Sequence, residues 1–419
     1  MNKIRNIKGT KDLLPDETFI WQEIEEKIHH FNQQFGYKEI RTPAFEESDL
    51  FKRGVGSETD IVNKEMYSWI DQGGNNLTLK PELTAPVTRA YIQHELGKSN
   101  PINKLYYIDA LFRRERPQKG RQRQFHQFGV EVFGSEFPEQ DAEIIIMGFT
   151  FLQSLGLDDI NLEINTIGSK SIRGTYITVL QDLLSKYKHD FSAIDQQRLD
   201  KNPLRLFDSK DPKCKEIINE TAPTIYNYVS EDDKLHFDKI CSILNDSGIQ
   251  YTHDQKLVRG LDYYTRTTFE IKSSSLGSQD ALCGGGRYDE LVEQLGGSST
   301  PAVGFAAGIE RIIISLGNQI QQDHKSIDIF MIFIGDDALN AGINLANNIR
   351  KKCNLSVVTE TLRRSMRSQM REANRLNVNH SIIIGEDEIK SNTAIIKNMK
   401  NGEQINMDID KIISYFIKE

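Results

Sequence analysis

The chain has 419 residues, with 52 Lys and Arg against 60 Asp and Glu and a net charge of −8. That length exceeds one ordinary core and points to two or three domains, and the acidic balance excludes a uniformly basic nucleic-acid coat while allowing local basic grooves. Cys214, Cys241, Cys283 and Cys353 are scattered without a CxxC pair, so neither a zinc finger nor a disulfide framework is expected. The first residues lack the apolar core of a signal peptide, and no apolar run approaches the ~20 residues that span a bilayer, so a cytoplasmic protein is expected.

Residues 16–35 are helical in pattern, with Phe19, Ile20, Ile24, Ile28 and Phe31 at spacings of three and four. Gly36 ends this helix, and residues 37–40 read as a short strand before Thr42 and Pro43. Residues 53–59 are Gly-rich and polar, which predicts a loop. A short strand at 77–80 runs into Pro81-Glu82-Leu83-Thr84, where a carboxylate and a hydroxyl two residues apart can accept bonds from an ammonium group.

Residues 106–112 and 125–133 are aromatic and β-branched, and predict a hairpin. Its loop holds Arg113, Arg114, Arg116, Lys119, Arg121 and Arg123 against one acid, Glu115. Gln127 and Glu131 are spaced by an even number and share one strand face. Such a hairpin can hold a polyanion beside a small polar molecule. A helix is expected at 139–155 and a strand at 161–166. From 169 to 252 the composition turns to Lys, Asp, Asn and Ser with helical periodicity, which reads as an inserted helical module whose histidines, His189 and His236, are structural.

The segment 257–271, LVRGLDYYTRTTFEI, sets Arg259 before a strand expected to carry Tyr263 and Tyr264. Gly284-Gly285-Gly286 would by itself read as a tight turn, though three glycines also permit close backbone approach. No P-loop and no HExxH is present. Beyond 326, strands and helices alternate (327–334, 337–351, 355–359, 365–375, 381–385), which predicts a small α/β sheet. Arg363, Arg367, Arg371 and Arg375 recur every four residues, as one basic stripe if helical. A solvated helix face and a phosphate-backbone contact both fit that stripe.

Four ordered segments carry a family resemblance. FRRERPQKGRQRQFHQFGVEVFG, from Phe112, resembles motif 2 of class II aminoacyl-tRNA synthetases, in the wording of histidyl-tRNA synthetases. RGLDYY and GGGRYD resemble that family's two histidine-specific signatures, and GFAAGIER, ending at Arg311, resembles motif 3. The helix and strand at 16–40 resemble motif 1. Lys80 and Leu83 stand where the commoner bacterial wording has Arg and Gly.

The resemblance implies an α+β fold: a class II antiparallel sheet flanked by helices at 1–168 and 253–322, the helical insertion at 169–252, and an α/β anticodon-binding domain at 326–419. It implies a histidine–tRNA ligase that activates L-histidine with ATP and Mg²⁺ and transfers it to tRNA(His), acting as a homodimer. Arg113 and Arg259 would be catalytic. Glu82, Leu83, Thr84, Arg113, Gln127, Glu131, Arg259, Tyr263 and Tyr264 would bind histidine. Arg113, Glu115, Phe125 and Arg311 would bind ATP, with Phe125 on the adenine. Arg116, Gln118, Arg121 and Arg123 would face the tRNA acceptor end. No protein metal ligand is expected, since magnesium would arrive on the nucleotide. The alternative is a histidine-binding regulatory paralogue of ATP phosphoribosyltransferase. Such paralogues generally lose one or both histidine signatures and the C-terminal domain, whereas all three are present in this chain.

Overall fold

The computed structural model describes residues 3–57, 59–118, 120–207, 209–277, 280–317 and 327–418. The chain divides into two units, Met1–Ile320 and Gln321–Glu419.

The first unit is built on an eight-stranded sheet. In spatial order its strands are Lys38–Glu39, Asn103–Phe112, Gln124–Phe133, Ala302–Gly308, Ala281–Arg287, Thr265–Ser273, Ile160–Thr166 and Tyr251–His253. The two outermost pairs are parallel and the inner pairs antiparallel. Period-two alternation gives this sheet two different faces. Phe128, Val130 and Val132 point into a core closed by Trp21, Ile24 and Ile28 of the helix Pro15–Gln34 and by the helix Pro138–Ser154. Each helix begins with Pro in its first turn followed by acids, Asp16 and Glu17 in one and Glu139 and Asp141 in the other. Proline's missing N–H costs nothing there, and the acids face the positive end of the helix dipole. The residues between, Phe125, Gln127, Gly129, Glu131 and Phe133, face the opposite side.

The stretch 169–252 is helical as expected, with helices Lys170–Leu184, Ala193–Lys201, Pro212–Thr221 and Glu231–Asp246 joined by 3₁₀ turns. Its last helix packs against the sheet core: Phe237, Ile240 and Leu244 join the cluster that includes Phe151 and Leu152. His236 is structural in a specific way, as its Nε2 bonds the buried Asp141 carboxylate.

Three expectations are corrected. Residues 52–56 do not form an open loop; Lys52–Gly56 is a π-helical turn continuing the helix Ser48–Phe51, because Val55 and Gly54 bury against Ala85 and Leu291. Tyr263 and Tyr264 lie in the turn before their strand, which starts at Thr265. The glycine triplet is not a turn but the middle of the strand Ala281–Arg287.

The second unit has a five-stranded sheet in the order Val357–Thr359, Ile329–Phe333, His380–Ile384, Thr393–Asn398, Gln404–Asp408, parallel among the first three and antiparallel after. The helices Asp336–Cys353 and Ile409–Lys418 contribute to one apolar layer and Met366–Arg375 to the other. Beyond the alternation read at 327–385, the unit adds the helix Glu386–Ser391 and the last two strands and helix. The basic stripe is also shorter than expected. Arg363 precedes the helix with φ +52° and pairs with Asp336 at 3.1 Å, leaving Arg367, Arg371 and Arg375 helical.

Candidate active site

On the face opposite the helix-packed core lies a cavity of about 380 Å³. Of the expected site residues, Glu82, Leu83, Thr84, Arg113, Glu115, Arg121, Phe125, Gln127, Arg259, Tyr263, Tyr264 and Arg311 line it, from segments over 200 residues apart. Arg116 and Gln118 are exposed on the hairpin loop outside it. Gln118 and Arg121 exchange backbone hydrogen bonds of 3.1 and 2.9 Å in a tight turn, and the Arg123 N–H donates to the Gly9 carbonyl at 2.7 Å. Lys119 lies outside the described residues.

One end of the cavity is acidic. The Glu82 carboxylate accepts the N–H groups of Thr84 (2.9 Å) and Ala85 (3.0 Å), so it occupies the start of the helix Thr84–Gln93, where free N–H groups and the dipole favour an anion. Glu131 sits just behind the cavity wall, 1% exposed. It accepts three hydroxyls: Thr84 at 2.8 Å, Tyr107 at 3.1 Å and Tyr288. Ionised, a carboxylate has about four acceptor positions, so one is left for a ligand donor once the Glu131 proton has been given up. Gly304 is paired directly opposite, and a Cβ there would stand 2.0 Å from Glu131 Oε2, so only glycine leaves room for this carboxylate.

Burial pushes the Glu131 carboxyl up to about 8, against the pull of the hydroxyls of Tyr288 and Thr84, with Glu82 adding to the rise. Burial likewise raises Glu82 to about 7, opposed by its backbone donors and by Arg113. Both carboxyls hold protons more tightly when folded than at their ordinary 4.5. The stability they contribute is complete below pH 4.5 and is lost as pH rises through 7 and 8. The melting temperature of the ligand-free protein is therefore expected to fall across this range, and less steeply in Glu131→Gln. Parallel pH profiles of wild type and variant would contradict this.

The other end is cationic. Arg113 Nε donates to the Pro81 carbonyl at 2.8 Å, and its guanidinium lies 5.2 Å from the Phe125 ring centre. Arg311 donates Nη1 to the Ala281 carbonyl at 2.7 Å and Nε to the Gly120 carbonyl at 3.3 Å. Burial and the nearby Arg121 both lower its pKa. Arg259 pairs with Glu270 and lies 5.8 Å from the Tyr264 ring centre. Burial opposes its charge, but Glu270 and the two tyrosines hold its pKa above the ordinary value. Its Nε is buried without a hydrogen-bond partner among the described residues. The glycine triplet explains how so large a group fits: a Cβ on Gly284 would lie 2.5 Å from Arg259 Nη1.

Residues not assigned from the sequence complete the site. Tyr107 and Tyr288 hold Glu131, and Glu270 holds Arg259. Tyr107 was within reach, since it pairs with Gly129 and shares the face of Gln127 and Glu131. Arg287 and Asp289 of GGGRYD serve the frame. Arg287 is fully buried and binds Asp141 through Nε at 3.0 Å and Asp289 and the Ser135 carbonyl through Nη1. Arg287→Ala is expected to destabilise this unit by ~3–5 kcal/mol, because Asp141 would be left buried beside His236 alone. A urea midpoint within error of wild type would refute it. Lys80 is explained too: almost fully buried, it pairs with Asp109 and donates to the Thr42 carbonyl at 3.2 Å.

The cavity thus holds carboxylates at one end and guanidinium groups at the other, and comparison with known families gives its class as an aminoacyl-tRNA synthetase. Residues 9–312 match the family model for histidyl-tRNA synthetase, and 328–419 match that for an anticodon binding domain. Histidine–tRNA ligase of Caldicellulosiruptor saccharolyticus is 44% identical over 404 residues, 96% of each chain. That of Clostridioides difficile is 42% identical, covering 97% of each. The apo crystal structure of S. aureus histidyl-tRNA synthetase superposes with a TM-score of 0.82 at 36% identity, covering 99% of this chain and 100% of that one. An ATP phosphoribosyltransferase regulatory subunit/histidyl-tRNA synthetase of Bacillus halodurans shares the fold, with a TM-score of 0.65 at 22% identity. The chain belongs to the histidyl-tRNA synthetase family.

Proposed function

We infer that this chain is an enzyme that ligates L-histidine to tRNA(His), activating the amino acid with ATP. The observation that carries this reading is the meeting of the buried Glu82 carboxylate, with Glu131 just behind it, and the guanidinium groups of Arg113, Arg259 and Arg311 at one cavity, within a chain similar to histidine–tRNA ligases along nearly all its length.

In the first step, an oxygen of the histidine carboxylate attacks the α-phosphorus of ATP and expels pyrophosphate, leaving histidyl-adenylate. Two anions must approach, so fixed cations are needed, and their placement before reaction lowers the cost. Arg113 and Arg259 supply them at the reacting groups, and Arg311 holds the distal phosphates. Glu115 meets the adenine amine and Phe125 its face. Mg²⁺ bound to ATP would neutralise phosphate charge beside these arginines. Glu115 and Glu270, the carboxylates nearest the cations, are engaged by Arg121 and Arg259.

Histidine is selected at the other end. Glu131 accepts from one imidazole nitrogen and the Tyr264 hydroxyl donates to the other, with Tyr263 alongside. Glu82, Thr84 and Gln127 take the amino group, and Leu83 shapes the wall between. In the second step a ribose hydroxyl of the 3′-terminal adenosine of tRNA attacks the histidyl carbonyl, forming the ester as the acyl–phosphate bond breaks and AMP leaves with the hydroxyl proton. Arg116, Gln118, Arg121 and Arg123 meet the acceptor end, and the second unit, as an anticodon-binding domain, meets the other end of the tRNA. We place the catalytic core at 1–168 and 253–322, the helical insertion at 169–252 and the anticodon domain at 326–419. The protein acts in the cytoplasm as a homodimer; no described helix is long and apolar enough to cross a membrane.

The regulatory-paralogue alternative is disfavoured by the intact RGLDYY and GGGRYD segments and by the matched C-terminal unit. The test is ATP–pyrophosphate exchange without tRNA, with each of the twenty amino acids. Exchange with histidine alone is expected; histidine binding without exchange would return the reading to the paralogue.

A further inference from the structure

The turn that carries Arg259, Tyr263 and Tyr264 is held from behind by groups the chemistry above does not use. Arg173, on the helix Lys170–Leu184, donates Nη1 to the Tyr264 carbonyl at 2.8 Å. Asp262, one residue before the tyrosine pair, accepts at Oδ1 from Asn202 Nδ2 at 3.1 Å and from Arg205 Nη2 at 3.4 Å. Asn202 and Arg205 belong to the 3₁₀ turn and its cap after the helix Ala193–Lys201. Burial lowers the Arg173 pKa, and the nearby Asp262 and Glu290 carboxylates oppose that fall.

The turn cannot retreat from these contacts toward the rest of the sheet unit. The Asp262 N–H donates to the Val55 carbonyl at 3.1 Å, and a Cβ on Gly56, at φ +101°, would stand 2.4 Å from Asp262 Oδ2. The turn is thus gripped between the π-helical turn Lys52–Gly56 and the helical stretch 169–252. A guanidinium bond to the Tyr264 carbonyl fixes the peptide from which that side chain projects. Tyr264 in turn faces Arg259, and Tyr263 packs 5.5 Å from Tyr288, the residue that holds Glu131.

We propose that Arg173, Asn202 and Arg205 are positioning residues for histidine: through the Tyr264 carbonyl and the Asp262 carboxylate, the helical insertion sets where Tyr264 and Arg259 meet the amino acid. The insertion is thereby part of the amino-acid site, although none of these three residues lines the cavity. This inference rests on the functional reading above.

The test is pyrophosphate exchange by the full chain, with the active fraction titrated and the KM for histidine and for ATP measured separately. Arg173→Met is expected to raise the histidine KM about tenfold while the ATP KM stays within about twofold, since a small misplacement of a binding group is costly where it acts and silent elsewhere. Arg173→Lys, which can still donate to the carbonyl, should recover part of the loss. Should Arg173→Met not fold, Asn202→Ala, which removes one donor from Asp262, applies the same test with a smaller rise. An unchanged histidine KM, an equal rise in both KM values, or a loss confined to the active fraction would each overturn the proposal. Absence of histidine-dependent exchange in the wild-type chain would instead overturn the functional reading, so the two failures are distinct.

Discussion

Arg259→Ala is expected to lower histidine-dependent pyrophosphate exchange by a factor of about 10³ or more, as for other preorganised groups that meet charge developing in a transition state. The expectation comes from placement. Arg259 lines the cavity, its charge is secured by Glu270, and its Nε has no hydrogen-bond partner among the described residues. An incoming carboxylate or phosphate oxygen would supply one. Arg259→Lys should rescue little, because an ammonium cannot engage Glu270 and an anion through the same planar fork. Gly284→Ala should mimic the loss in part, since its methyl would enter the space of the guanidinium. Near-normal exchange by a well-folded Arg259→Ala protein would remove this residue from the chemistry.

Glu131→Gln should strike the other end of the site. It is expected to lower kcat/KM for histidine by ~10²–10³ while leaving the KM for ATP nearly unchanged. The reason is donor counting. In its ionised form Glu131 accepts from Thr84, Tyr107 and Tyr288 and keeps one position for a ring N–H. The amide replaces one acceptor oxygen with a donor, so either a tyrosine hydroxyl must turn away or the imidazole loses its partner. A buried group left unpaired on binding is what makes polar selection steep. Equal losses for histidine and ATP would indicate a general disturbance of the sheet and refute the ring-reading role.

Much of this site could be read along the chain. The even spacing of Gln127 and Glu131 places both on one face of the strand Gln124–Phe133, and the Arg-rich hairpin supplies Arg113 and Arg121 to the cavity wall. The alternation of strands and helices past residue 326 revealed the second unit. What escaped was of two kinds. Local composition misled at residues 52–56 and at the glycine triplet, where glycines suggested a loop and a turn. They are instead the residues that let a helix and a strand run close to other groups: Gly54 beside Ala85, Gly284 beneath Arg259. The Arg363 to Arg375 series misled by its regular spacing, because the helix starts only at Met366.

The sequence by itself determined the chemistry available: which side chains carry charge, which strand face each occupies, and in what order the segments follow. Those properties are local, set by residue type and a period of two or 3.6. Only the tertiary structure decided which charges meet. Glu131 comes to face Gly304 and Tyr288, Asp141 to meet Arg287 and His236, and Arg173 to reach the Tyr264 carbonyl, across separations of 173, 157, 146, 95 and 91 residues. No local pattern encodes such pairs. They arise because the sheet order brings distant strands side by side, and because each buried charge must find a partner once the apolar faces close.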